Sequence, residues 1–297
     1  MHDVAIVGGG PAGLTAALVL GRCRRSVLVY DEGKPRNARS RGVHGFLGHD
    51  GIAPGALRER ARAELSPYAV ELRAVRVTRA ERVPGGFELT DANGESARAR
   101  RLLLATGVTD VLPDVPGAGE LYARGIYPCA YCDGWELRDR ALGAYGSGPS
   151  SAEAALGLTT WSRDVILFSN GPADLDPSAR ARLTRNRVWL REERIEAFEG
   201  DDVGLRDVLL EGGIRVPRDA IFLHLGQRQR SPLAEMLGCS FEDGDFAETG
   251  EKQKTRVAGV YLAGDASHDV KFAIVAAAQG ARAAHDINQT LREEDTP

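Results

Sequence analysis

Cysteine is scarce. Four in 297 residues are too few for the disulfide framework of a secreted protein. Long apolar runs are missing as well, so no bilayer-spanning segment is expected; the Ala-rich stretch 274–284 is broken by Gln279, Gly280 and Arg282. Met1 leads straight into a strand-like run, with no basic segment and no small-residue cleavage pattern, so no secretory leader is expected. Charge of one sign is also lacking. The 38 Lys and Arg against 42 Asp and Glu leave a net charge of −4, which argues against nucleic acid or an anionic membrane as the main partner. The basic clusters Arg22, Arg24, Arg25 and Arg36, Arg39, Arg41 read as solvated loop or helix-end residues. The setting implied is a reducing cytoplasm, where a CxxC is more often catalytic than structural.

What is present is an alternation of buried strands and helices over a length that suits two domains. Residues 3–7 read as a buried strand, 12–21 as a helix and 26–30 as a second strand ending at Asp31-Glu32. This is a βαβ unit. Residues 33–51 read as a long loop whose histidines, His44 and His49, read as solvated or as reaching a flavin or substrate, the solvated reading being favoured. Residues 54–65 look helical with Arg and Glu on the outer face, and 70–104 alternate as strands. A Pro- and Gly-rich stretch at 110–120 marks a boundary. Beyond it, strand 141–145, helix 150–161 and strand 164–169 repeat the βαβ unit. Strand 220–225 follows, a second boundary falls near 242–249, and strand 260–263 leads to a final helix. The expectation is an α/β chain with two Rossmann-like three-layer dinucleotide-binding domains, the second inserted in the first. Residues 1–113 and 246–297 form the outer domain and 114–245 the inner.

Gly8-Gly9-Gly10-Pro11-Ala12-Gly13 stands between strand and helix. Glycines there permit a tight turn and close approach of a pyrophosphate to the helix N-terminus. Asp31 at the next strand end is placed to accept from a ribose, with Glu32 beside it. Thr106-Gly107 ends another strand; Gly264-Asp265 follows the last one and reads as a flavin ribityl contact or as an N-cap. Gly146-Ser147-Gly148-Pro149-Ser150-Ser151 is a second glycine turn. The strand after it ends Phe168-Ser169-Asn170, with no acid for a ribose 2′-hydroxyl and no Arg for a 2′-phosphate.

Between the two turns lies Cys129-Ala130-Tyr131-Cys132-Asp133-Gly134. Two intervening residues bring the sulfurs within disulfide reach, and such a pair has a thiol of lowered pKa. The pair reads as redox-active or as half a zinc site. With no second CxxC the four ligands of a structural zinc are lacking, and no metal is expected. Asp133 reads as proton donor and acceptor for the dithiol or as a turn aspartate. Cys23 and Cys239 read as inert core residues.

These pieces in this order resemble the low-molecular-weight thioredoxin reductase family of flavoproteins. The resemblance implies FAD in the outer domain, held by Gly8, Gly10, Pro11, Ala12, Gly13, Asp31, Thr106, Gly107, Gly264 and Asp265. It implies NADPH in the inner domain at Gly146 and Gly148, a homodimer, and domains that rotate to carry the dithiol between flavin and substrate. On that pattern Cys132 faces the flavin, Cys129 attacks the substrate disulfide and Asp133 is the acid and base. Three departures stand out: Phe168-Ser169-Asn170 in place of His-Arg-Arg, Lys271-Phe272-Ala273 in place of Tyr-Arg-Gln, and Trp135-Glu136 after the CxxC with Arg36-Asn37 in the first loop. In these the chain is similar to a divergent branch that includes the dithiol oxidases of gliotoxin and holomycin biosynthesis. The expected substrate is a disulfide or dithiol, on a thioredoxin-like protein or a small molecule. The direction of electron flow stays open between reductase and oxidase, and a reductase fed by a donor other than a nicotinamide is a further alternative, as in other divergent relatives.

Overall fold

The computed structural model describes residues 1–242 and 246–296. Strands run in the order β1 (His2–Val7), β2 (Val27–Tyr30), β3 (Val70–Arg73), β4 (Val77–Val83), β5 (Gly86–Asp91), β6 (Ser96–Leu104), β7 (Val108–Asp110), β8 (Ile126–Tyr127), β9 (Leu142–Tyr145) and β10 (Val165–Phe168). They continue as β11 (Val188–Arg191), β12 (Ile195–Gly200), β13 (Leu205–Leu210), β14 (Ile214–Pro217), β15 (Ala220–Leu223), β16 (Gln227–Gln229), β17 (Phe241–Glu242), β18 (Phe246–Ala247) and β19 (Val260–Leu262). The helices are α1 (Pro11–Arg22), α2 (Pro54–Ala63), α3 (Ala130–Asp133), α4 (Gly148–Leu158), α5 (Pro177–Arg185), α6 (Leu233–Met236) and α7 (Ala273–Asp295).

Two compact units result. Unit 1 holds Met1–Ala38, Gly42–Thr109 and the chain from Gln227 onward. Its sheet runs β3-β2-β1-β6-β5-β4, with β19 also on β6. Strands β3, β2, β1, β6 and β19 pair in parallel, while β4 and β5 form an antiparallel hairpin on β6. Residues 4–7 of β1, 27–30 of β2 and 102–104 of β6 are buried, nearly all apolar runs because both faces of the sheet are covered there. Val4 and Ile6 join the core under α1 and α7; Ala5 and Val7 join the core on the opposite face, with Leu28 and Leu102. Helix α7 lies backbone-close on α1: a Cβ at Gly280 would fall 2.0 Å from the Ala12 carbonyl oxygen.

Unit 2 holds Asp110–Gly226, with Arg39–Arg41 grouped with it. A parallel sheet β11-β10-β9-β15-β8 carries α4 and α5, and an antiparallel meander β12-β13-β14 adds a second sheet. Strand β10 divides its side chains in the same way: Val165 and Leu167 enter one core, Ile166 and Phe168 the other. Among the described residues no helix is long and apolar enough to cross a membrane.

The units divide at Thr109/Asp110 and Gly226/Gln227, where the sequence pointed to 113/114 and 245/246. The later position falls at residues 243–245, outside the described residues. Residues after 226 group with unit 1 for two reasons. Strand β16 pairs with β7, and Leu233, Ala234 and Cys239 are buried in the core of Leu28 and Leu102. These elements are too short to carry a periodicity.

Candidate active site

The CxxC forms the cap and single turn of α3, which begins shortly after β8. Cys129 is the N-cap, and Cys129 and Cys132 are joined as a disulfide with their Cα atoms 5.3 Å apart. The Cys132 N–H donates to Cys129 Sγ at 3.2 Å. An amide donor on sulfur favours the thiolate once the bond opens. Asp133 follows, its own N–H on the Cys129 carbonyl. Its negative charge reaches Tyr127, whose hydroxyl pKa is pushed up by burial first and by Asp133 second. Gly134 is needed by contact: a Cβ would lie 2.5 Å from the Ala130 carbonyl oxygen and 2.7 Å from the Trp161 ring. Tyr131 meets Trp161 edge-on with ring centroids 5.4 Å apart.

The outer glycine turn is packed behind and open in front. A Cβ at Gly8 would lie 2.0 Å from the Ala105 carbonyl oxygen, just before Thr106-Gly107, and one at Gly13 would lie 1.9 Å from the Gly8 carbonyl oxygen. At Gly10 nothing stands within 4 Å. Pro11 opens α1 and Ala12 is buried under α7. This is a cradle that a dinucleotide pyrophosphate fits. Asp31 is at the β2 end as expected, but it is occupied: Arg58 and Arg62 pair with its carboxylate, and the Gly33 amide donates to it at 3.0 Å. Both arginines were expected to face solvent; α2 turns them inward. Gly264 has φ +81 and donates to Gln279 Oε1 at 2.7 Å. Asp265 pairs with Arg36 at 3.1 Å. Lys271 is half-buried, and that burial lowers its amine pKa. The residues present fit FAD. Arg36 is therefore not a solvated loop residue, and neither is Arg25, which pairs with Asp295.

The second turn repeats the first. The Gly146 N–H donates to the Phe168 carbonyl as the Gly8 N–H does to that of Tyr30. Gly146 has no room for a side chain, since a Cβ would lie 2.5 Å from Ser151 Oγ. Here, however, the Gly148 N–H donates at 2.8 Å to the carbonyl of Ala173, a fully buried residue in the loop after β10. That loop is strapped down. Asn170 takes the Ile195 N–H at 2.7 Å and donates to the Tyr145 hydroxyl at 3.1 Å. The Ala173 N–H donates to Glu192 Oε1 at 3.0 Å, and Arg180 grips Glu192 with bonds of 2.8 and 2.6 Å. The arginine bonds first, then the Ala173 amide, hold the Glu192 carboxyl down at about 2. The turn has the shape for a pyrophosphate, but Ser169 and Asn170 are spent on the loop and Arg180 is neutralised, so these groups do not fit a 2′-phosphate.

Of the other singled-out residues, Cys239 is buried, which pushes its thiol up. Cys23 is exposed after α1 rather than in the core, because α1 ends one residue before it. His44 lies 3.7 Å from Asp50 and His49 packs on Phe46. Among the described residues no group of three or more His, Cys, Asp or Glu is placed to hold a metal. The sequence missed Arg58 and Arg62, which reach Asp31 from α2, and Gln279, which reaches Gly264 from α7.

The model of a family described as pyridine nucleotide-disulphide oxidoreductase matches residues 2–280. A relative named thioredoxin reductase tcpT, from Claviceps purpurea, is 34% identical over 278 residues, covering 89% of this chain and 86% of that one. Another, named thioredoxin reductase, from Mycolicibacterium smegmatis, is 30% identical over 306 residues, with 99% and 98% covered. Among solved structures, HlmI is 36% identical with a TM-score of 0.94, covering 99% of this chain and 93% of its own.

Proposed function

The chain belongs to the pyridine nucleotide-disulphide oxidoreductase family and is a thioredoxin reductase-like, FAD-dependent disulfide oxidoreductase; on that premise we propose that Cys129 and Cys132 are its redox pair and Asp133 their acid and base. The observation that carries this is the closed Cys129–Cys132 disulfide, with the Cys132 amide on Cys129 Sγ. In the reductive direction the Cys129 thiolate attacks the substrate disulfide. One substrate S–S bond breaks, a mixed disulfide to Cys129 forms, and the first substrate thiolate leaves. Cys132 then attacks the Cys129 sulfur, which restores the internal disulfide and releases the second thiolate. Asp133 delivers a proton to a leaving sulfur and takes one from Cys132. Bound FAD supplies the two-electron couple that reopens the pair; on the family pattern Cys132 is the sulfur that meets it.

Thioredoxin reductases use FAD and NADPH. A second reading is a dithiol oxidase, in which a substrate dithiol passes two electrons and two protons to O₂ and leaves as a disulfide. It is favoured by the Ala173 carbonyl on the Gly148 amide, with Asn170 spent on the loop and Arg180 paired with Glu192. Anaerobic titration separates the two. Bleaching of the flavin by NADPH supports the reductase. Bleaching by a small dithiol alone, with peroxide on admission of air, supports the oxidase. Cys132→Ser should keep bound FAD and lose turnover; turnover that persists would sink the assignment. We place the enzyme in the cytoplasm as a homodimer acting on a disulfide or dithiol, on the grounds of its few cysteines and its family, and sedimentation at twice the chain mass tests the dimer.

A further inference from the structure

Asp31 does not stand alone at the end of β2. Arg58 Nη2 lies 2.9 Å from its Oδ2, and Arg62 Nη2 bonds the same oxygen. The two arginines are four apart on α2 and so share one face of the helix. Burial pushes the Asp31 carboxyl up, but the Gly33 amide and the two guanidiniums outweigh it and hold it below the ordinary range. The carboxylate lies against the glycine turn: a Cβ at Gly9 would fall 2.4 Å from its Oδ2.

Two features of this cluster are left unexplained by the ion pairs. One carboxylate faces two guanidiniums, so a positive charge remains in excess. In addition, Arg58 Nε and Arg62 Nε are buried with no hydrogen-bond partner. A buried donor without an acceptor is costly and rare in folded proteins. Two of them beside a cradle that is open at Gly10 call for an anionic, acceptor-rich ligand. The AMP half of FAD has the matching chemistry: ribose oxygens, adenine ring nitrogens and a charged pyrophosphate.

We propose that Arg58 and Arg62 are binding residues for the AMP half of FAD, offering it their Nε–H donors and surplus charge while they orient Asp31 toward the ribose. This rests on FAD being held by unit 1. The pair would make the site selective for FAD over FMN, which lacks the AMP half.

The test titrates flavin-depleted protein with FAD and with FMN, followed by quenching of flavin fluorescence. Loss of hydrogen bonds to charged donors predicts that R58A/R62A weakens FAD binding by about ten- to a hundred-fold. FMN binding should stay within about two-fold, because the lost interactions belong to the missing half of that ligand. Lysine at both positions keeps the charge but loses the guanidinium fork, and should still weaken FAD relative to FMN. Removing both arginines strands a buried carboxylate, so D31N/R58M/R62M is measured alongside and compared with D31N alone, with the same expectation. Unchanged FAD affinity, or FAD and FMN weakened together, would overturn the assignment. A wild-type protein that binds neither flavin would overturn the FAD reading itself.

Discussion

Asp286 is 2% exposed and accepts the Tyr261 hydroxyl at 2.9 Å and the amines of Lys252 and Lys254 at 3.1 and 2.7 Å. Burial works against its ionised form, but the bonds from Lys254, Tyr261 and Lys252 outweigh it and depress its carboxyl pKa. The unfolded chain therefore binds this proton more readily than the native one. The stability it contributes is present above about pH 4, the ordinary carboxylate range, and lost as pH falls through the depressed native value. Asp286→Asn should lower the urea midpoint at pH 7 by the equivalent of about 1–3 kcal/mol and by much less near pH 2. Tyr261 behaves oppositely: burial raises its hydroxyl to about 12, so its contribution is whole below about pH 10 and fades as pH rises through the native value. At the redox pair, Asp133→Asn should cut turnover by about 10²- to 10⁴-fold with the flavin spectrum unchanged, read by steady-state assay. The Cys129–Cys132 disulfide was legible in the sequence because the pairing needs only a four-residue CxxC spacing. Arg58 and Arg62 were not, because a helix in isolation gives no sign of which face meets the end of a strand 27 and 31 residues earlier.

The helices that flank the cofactor turn are held by close backbone approach, which glycine alone permits. Gly280→Ala places a methyl against the Ala12 carbonyl at 2.0 Å. Pushing α7 off α1 should cost about 1–3 kcal/mol, measured as a lower denaturation midpoint, and should weaken FAD retention as well, because α1 opens at the glycine turn. The βαβ units were readable from strand runs bounded by glycines, and their edges moved by only a few residues: the helix expected at 150–161 is α4, Gly148–Leu158. Helix α5 and the meander β12-β13-β14 were not readable. Their faces alternate only weakly, as in β12 with Glu196 exposed and Ala197 half-buried, and polar residues interrupt the period that marks a strand. The strap after β10 escaped notice for a different reason: Asn170 and Glu192 act through backbone amides, which no side-chain motif records.

Each unit has its own apolar core on both faces of its own sheet, and the proposed FAD site draws on unit 1 alone. A ligand bound only by the native state stabilises it by mass action, about 2.7 kcal/mol at a hundred-fold excess over its Kd. Calorimetry of flavin-loaded and flavin-depleted protein should therefore show FAD raising the transition of unit 1 and leaving that of unit 2 in place; equal shifts in both would contradict a site confined to unit 1. The sequence by itself determined the two dinucleotide folds, the split of the outer one and the dithiol, because glycine turns, buried strands and CxxC are local patterns with few physical solutions. Only the tertiary structure decided what surrounds them. It put 227–242 in unit 1, turned two arginines onto Asp31, and laid Ala173 on the second glycine turn. Those outcomes depend on packing between segments far apart in the chain, where burial and hydrogen-bond satisfaction, rather than spacing, choose the partner.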